Sequence, residues 1–411
     1  MSWEAETLAD IAASIQTGPF GSQLHQSDYS EVGIPVVMPK DLVDGHISEE
    51  SIARVDESHV QRLSRHKIEN GDILYSRRGD VGRCAFAGEK EQGWLCGTGC
   101  LRVTIDSSKA NSRFVFYQLQ KPETVGWVIN HAVGATMLNL NTSILGGIPL
   151  SIPSLIQQNR IVDILTAYDS LIETSQRQIM LLEEAAQRLY KEWFVDLRYP
   201  GHENVPVVDG VPEGWRKCIL GELFEVVRGK SYSSAEISGN DGMLMVNLSN
   251  IRPFGGYNRQ QEKSFNGKYK QDQLVRAHDL IMGVTDMTQE KRTVGRVALI
   301  PDLHSEAIIS MDLIKLIPKN GSTLFFYAFL LWGNYSEMAS RFSNGTNVLH
   351  LRPEVLNMID ALLPSKHLQD MFVSEFSKIV KRIDTLQDEI ILASEARDRL
   401  LPKLMSGEIA V

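Results

Sequence analysis

The densest chemistry in the sequence is two runs of cationic side chains interleaved with aromatic and hydroxyl groups. In the first, Arg54, Arg62, Arg65, His66, Lys67, Arg77, Arg78 and Arg83 gather around Tyr75 and Ser76. The second brings together Arg228, Lys230, Tyr232, Lys291, Arg292 and Arg296. A guanidinium fork can bond a guanine edge at two points, whereas an ammonium more often holds a phosphate. Arg65, Lys67, Ser76, Arg77, Arg78 and Arg83 in the first half, with Arg228, Lys230, Tyr232, Lys291, Arg292 and Arg296 in the second, are therefore candidate contacts to double-stranded DNA. Any one of them is equally well a solvated surface charge. Their clustering at corresponding places, near the Val-Gly-Arg of each half, is what sets them apart.

Catalytic signatures are missing. The sequence has no GxxxxGK[ST] phosphate loop, no strand leading into GxGxxG, no HExxH and no GxSxG elbow. It also lacks the Asn/Asp-Pro-Pro-aromatic tetrapeptide found in amino-methyltransferases. Gly18-Pro-Phe-Gly21-Ser lacks a lysine and the right spacing, and reads as a tight turn. Cys84, Cys96, Cys100 and Cys218 form no CxxC pair and stand near no companion histidines, so buried free thiols are expected, with no metal and no disulfide framework. No cofactor is expected on this chain.

The net charge of −9 argues against a general polyanion binder, so any nucleic-acid surface must be local or assisted by a partner's positive field. The start carries acidic residues and no cationic stretch leading into an apolar run, and the apolar stretch near Leu324–Trp332 is too short for a bilayer. A cytoplasmic protein is expected.

What must position the cationic runs is a duplication. Gly134-Ala-Thr-Met-Leu138-Asn-Leu140 aligns with Gly345-Thr-Asn-Val-Leu349-His-Leu351, and the same offset of 211 (345 minus 134) carries Ile144 to Val355, Ile148 to Ile359 and Pro153 to Pro364. The openings match too, Trp3 with Leu8 and Asp10-Ile11 against Trp215 with Leu220 and Glu222-Leu223. Between them, Gly71-Asp-Ile-Leu-Tyr75 resembles His278-Asp-Leu-Ile-Met282, and Val81-Gly-Arg83 resembles Val294-Gly-Arg296. The offset moves there from 207 to 213, so one loop, Thr285 to Thr293, is about six residues longer in the second copy. So long a period marks a duplicated domain pair with pseudo-two-fold symmetry, not a solenoid.

Each copy ends in a heptad seam. Ile161, Leu165, Tyr168, Ile172, Ser175, Ile179, Leu182, Ala186, Leu189 and Trp193 step alternately by four and three, and adding 211 gives Phe372, Phe376, Ile379, Ile383, Leu386, Ile390, Ala393, Arg397, Leu400 and Leu404. Neither stretch holds proline or glycine from Ser154 to Val195 or from Ser365 to Leu401. Helices of about 40 residues would run roughly 60 Å. A strict repeat favours supercoiled partners over packing on a globule, although the pattern leaves their direction open. Ser175 and Arg397 interrupt the seam.

The fold class expected is α+β, with two related globular domains and two long helices. The segments are 1–152, first recognition domain; 153–196, first helix; 197–214, a proline-rich linker; 215–363, second domain; and 364–411, second helix and tail. Ile34–Met38, Asp72–Tyr75, Leu101–Ile105 and Leu313–Ile317 read as strands, and Asn111–Gln120 and Thr323–Leu331 as helices.

Thr17-Gly-Pro-Phe-Gly-Ser-Gln-Leu24, Gly71-Asp-Ile-Leu-Tyr-Ser76, Val81-Gly-Arg83, Pro153 before a helix with Gln157-Gln158, the restart at Pro212-Glu-Gly-Trp215 and the ending Leu400-Leu-Pro-Lys-Leu-Met-Ser-Gly-Glu-Ile409 together resemble the specificity subunit of type I restriction-modification systems. The resemblance covers essentially the whole chain. It implies two target-recognition domains, two spacer helices packed as an antiparallel coiled coil, and a non-catalytic role. The partners it implies are double-stranded DNA, two methyltransferase (modification) subunits binding S-adenosylmethionine, and translocating restriction subunits. Arg228-Gly-Lys-Ser-Tyr232 stands where the first copy has Thr17-Gly-Pro-Phe20, so the two copies are expected to read different half-sites.

Mechanically, two readers joined by a rod address two DNA patches separated by an unread gap. Changing residues 161–193 by a fraction of a heptad is expected to shift that gap. Two other readings carry weight: a coiled-coil scaffold that never touches DNA, favoured by the acidic balance, and a fragment of a fused methyltransferase, disfavoured because the chain begins and ends on repeat boundaries.

Overall fold

The computed structural model of the chain describes residues 3–134, 137–238, 242–259 and 262–411. Ala135 and Thr136 of the repeated glycine motif lie outside them. The chain divides into two compact units, one running to Glu173 and taking in Ile391–Val411, the other Thr174–Ile390. Each unit thus holds one globular part and a section of both long helices, which the sequence segmentation had set apart. The reason is packing. Ile161, Leu165 and Leu404 share a core with Leu8, Tyr75 and Phe114, while Ala186, Tyr190, Trp193 and Phe372 share one with Leu220, Phe325 and Phe329.

The two globular parts repeat one topology. In the first unit an antiparallel sheet runs in the order Ala12–Thr17, Cys100–Ile105, Ile73–Ser76, Cys84–Phe86. The second unit has Phe224–Arg228, Leu313–Pro318, Leu280–Gly283, Val297–Leu299 in the same order. Each unit adds a second sheet with one parallel pairing, Leu95–Cys96 on Ile34–Val37 and Ala307–Ile309 on Met243–Val246. A two-stranded ribbon joins each opening to the strand before its long helix, Glu4–Thr7 with Pro149–Ile152 and Arg216–Ile219 with Asp360–Leu363.

Local chemistry explains the recurring motifs. The aspartate of each Gly/His-Asp motif caps its own turn, Asp72 Oδ2 accepting from the Glu69 amide at 2.8 Å and Asp279 Oδ2 from the Arg276 amide at 2.9 Å. Gln158 Nε2 donates to the Pro153 carbonyl at 2.8 Å, and Gln369 Nε2 to Pro364 at 2.9 Å, so a buried glutamine anchors the entry of each long helix. The expected helices form at Ser112–Leu119 and Thr323–Trp332, with Asn111 and Ser322 side chains accepting from free first-turn amides.

The long helices span Leu155–Tyr190, closed by a wide turn at Lys191–Val195, and Lys366–Ser406, which continues through Pro402. Every residue of both seams is buried or half-buried. In the second unit the helices run antiparallel: Gln178 Oε1 accepts from Arg382 at 3.2 Å, and further along the first helix the Tyr190 ring meets Phe372 with centroids 5.9 Å apart. Of the two interruptions, Ser175 is buried, and Arg397 Nη1 reaches Asp169 of the facing helix at 2.9 Å. The stretch expected as a linker is ordered instead, with Tyr199 buried in the second unit's core and a short ribbon of Val207–Val208 on Val211–Pro212. No described helix is long and apolar enough to cross a membrane.

Candidate nucleic-acid interface

In the first unit, Ile73–Ser76 delivers the arginine pair to the sheet's end. Tyr75 and Ser76 are buried, and Ser76 Oγ donates to the Arg78 carbonyl at 3.1 Å. Ser76 is therefore a brace for the turn, which corrects its assignment as a DNA contact. The Arg77 amide donates to the Gly99 carbonyl at 2.7 Å and its carbonyl accepts from Leu140 at 2.8 Å, while Gly79 donates to Leu138 at 3.0 Å. Leu138 and Leu140 of the repeated glycine motif thus prop the arginine turn. Arg65 and Arg78 are exposed, Lys67 and Arg77 half-buried. Among the described residues no carboxylate forms an ion pair with any of these four. Arg83 is exposed and held by Asp80 at 2.6 Å. Arg54 and Arg62 are also occupied, by Glu49 at 3.5 Å and Asp28 at 3.9 Å.

The second unit holds its arginines differently. Arg228 pairs with Glu354 at 3.0 Å and Arg292 with Glu290. Lys291 Nζ donates to the Arg341 carbonyl at 3.4 Å. Lys230 is half-buried, and Tyr232 lies under the Lys263 ammonium, which is 5.5 Å from the ring centroid. Arg296 is buried against Glu337 at 2.5 Å and donates from Nε to the Lys291 carbonyl. It buttresses the longer loop from inside, so it too is corrected: its alignment with Arg83 is one of sequence, and the two side chains have different surroundings. The longer loop is closed by Asp286, whose Oδ2 accepts from the Thr293 amide at 2.6 Å and the Val294 amide at 3.2 Å.

Several positioning residues escaped the sequence reading. A Cβ on Gly18 would lie 1.9 Å from the Gly97 carbonyl oxygen, and one on Gly229 would lie 1.9 Å from that of Ser310. Both glycines let the backbone press onto the neighbouring strand, and at Gly229 this seats Arg228 and Lys230. Gly134 and Gly345 adopt φ of 129° and 149°, a region costly for other residues. The Arg228 carbonyl is held by Gln273 at 3.3 Å, and His66 occupies the corresponding place beside the Thr17 backbone. Burial, then the charges of Arg65 and Arg102, hold the His66 imidazole below its ordinary 6.5.

The Leu140-to-Arg77 bond has its counterpart in the second copy, where the Leu351 amide donates to Val284 at 2.8 Å. One architecture is used twice to present two different loops. A sequence profile described as the type I restriction modification DNA specificity domain matches the chain over residues 2–184 and again over 212–394. The chain belongs to that family. A type I restriction enzyme specificity subunit of Methanocaldococcus jannaschii, MjaIX, is 23% identical over 417 residues, covering 100% of this chain and 94% of the relative. The HindI specificity subunit of Haemophilus influenzae is 22% identical, over 84% of this chain and 88% of its own. The crystal structure of the S subunit from M. genitalium superposes with a TM-score of 0.62 at 16% identity, covering 98% of this chain and 96% of that one, a likeness of fold.

As in the reading of this specificity-domain chain from its sequence, all four cysteines are buried and free. Burial pushes the Cys84 and Cys96 thiols up to about 12, which leaves them unreactive. Among the described residues no cluster of metal-binding side chains forms.

Proposed function

We propose that this chain is the non-catalytic reader of a bipartite, asymmetric DNA target, and that it directs two S-adenosylmethionine-binding modification subunits, and with them restriction subunits, to that target in the cytoplasm. The observation that carries the reading is the pairwise recurrence of one scaffold under unlike loops. At the offset of 207, Arg77 and Arg78 correspond to Val284 and Thr285 (77 plus 207, 78 plus 207), which are buried, so the same backbone support exposes Arg78 in the first copy, whereas in the second the exposed cation of this region is Arg292 on the longer loop. Different chemistry at equivalent places reads different bases. The family supports the DNA part, and the antiparallel helix pair supports a fixed gap between the half-sites.

The test is expression of the chain with its modification subunits in a methylation-free host, followed by sequencing of methylated bases. A split motif, with two dissimilar halves around an unread gap, is expected. A contiguous motif, or a DNA-free complex with no methylation at all, would sink the proposal.

A further inference from the structure

The second unit carries a set of ion pairs that the reading of the cationic loops does not use. Arg252 Nη2 lies 2.6 Å from Glu183 Oε1, Arg259 Nη1 lies 2.8 Å from Asp388 Oδ1, and His278 Nε2 lies 3.0 Å from Asp384 Oδ2. Each cation belongs to the globular part. Glu183 belongs to the first long helix and the aspartates to the second, one turn apart. Two of the pairs, Arg252 with Glu183 and His278 with Asp384, line a cavity together with apolar side chains, among them Trp332, Phe376, Val380 and Ile383.

The first unit joins its globular part to the helices by other means. There Tyr117 donates its hydroxyl to Asp169, and Asn111 donates its amide to Gln158 Oε1 at 2.8 Å and its side chain to Asn159 at 2.8 Å. His278 aligns with Gly71, which can form no such pair.

Apolar packing is non-directional: it resists separation and only weakly resists sliding. Partly exposed ion pairs add little to stability, yet three of them, aimed at two helices, admit few orientations. We propose that Arg252, Arg259 and His278, with Glu183, Asp384 and Asp388, are positioning residues that form an ionic latch. The latch fixes the seating of the second recognition domain on the helix pair and so holds the DNA gap to a single length. This inference rests on the DNA-reading function proposed above.

The experiment uses the complete complex with its modification subunits and maps methylation for a triple variant and for a charge-reversed pair with its single-substitution reference. In the first, Glu183→Gln, Asp384→Asn and Asp388→Asn remove the helix charges with nearly isosteric amides. Both half-site sequences are expected to persist, while methylation at gaps one base pair too long or too short rises about tenfold. In the second, Arg252→Glu with Glu183→Arg reverses one pair, and gap fidelity is expected to return toward that of the unaltered complex relative to Glu183→Arg alone. A triple variant that keeps its thermal unfolding midpoint and methylates only at the native gap overturns the latch. So does loss of fidelity that the charge reversal leaves unrepaired. Absence of a split motif from the unaltered complex is a different result and overturns the DNA-reading proposal itself.

Discussion

Arg78 is the side chain best placed for base contact in the first unit. It is exposed, its turn is braced by Ser76, and no acid competes for its guanidinium among the described residues. Arg78→Ala is expected to weaken binding to the mapped target by roughly 1–3 kcal/mol while leaving random DNA nearly untouched. Fluorescence anisotropy with both duplexes measures this, and an equal loss on both would demote Arg78 to a phosphate anchor. His66, two residues from the Ile68 core position, carries a second expectation. Its folded form is held below 6.5, mainly by burial and then by Arg65 and Arg102. Above 6.5 the ring is neutral folded or unfolded and costs nothing. Below it the unfolded chain takes the proton first, so stability falls as pH drops from 6.5 toward the lowered folded value. Gln273 shows that an amide suits the corresponding place, so His66→Gln is expected to flatten that part of the acid loss. Urea unfolding at about pH 7.5 and about pH 5.5 compares the two proteins, and parallel losses would count against the argument.

Among the elements, the long helices are the most legible in sequence, and Phe372 is a seam residue packed among aromatic rings. It is fully buried, with Tyr190, Trp193, Phe194, Phe325 and Phe376 rings within 6.4 Å centroid to centroid. Phe372→Ala is expected to cost about 3–5 kcal/mol in the second unit. Chemical denaturation measures this, and a loss below about 1 kcal/mol would mean that the seam is not the structural axis of that unit. The helices could be read because their period is a one-dimensional property, and the main strands because their apolar runs are bounded by turn residues. The site was harder to read. Ser76 and Arg296 sit beside exposed arginines in sequence, but whether a polar side chain faces solvent or braces a loop depends on which carbonyl or carboxylate the fold brings to it. Gly18 read as part of a tight turn and Gly229 drew no reading of its own, because the carbonyls they approach, Gly97 and Ser310, are remote in sequence. The ordered stretch around Tyr199 was missed for the same reason: its proline content speaks for a linker, and its packing against Trp215 is a tertiary fact.

At the scale of the whole molecule, a chain of net charge −9 that reads DNA must keep its positive surface local. The free cations of the first unit and the acid-held arginines of the second suit that requirement, since counter-charges restrain adhesion to random sequence. Target choice then falls to geometry, and the proposed ruler gives a quantitative expectation. Four residues inserted into the first helix between Ile161 and Trp193, with four at the facing level of the second, add about 6 Å of length and leave the seam rotated by roughly 40°. A base pair adds about 3.4 Å and, at 10–10.5 pairs per turn, roughly 35°. The rotation matches one added pair and the length falls between one and two. The methylated motif is therefore expected to keep both halves and to gain one base pair in its gap. If the doubly lengthened protein stays folded and methylates the original motif, the helices do not set the spacing.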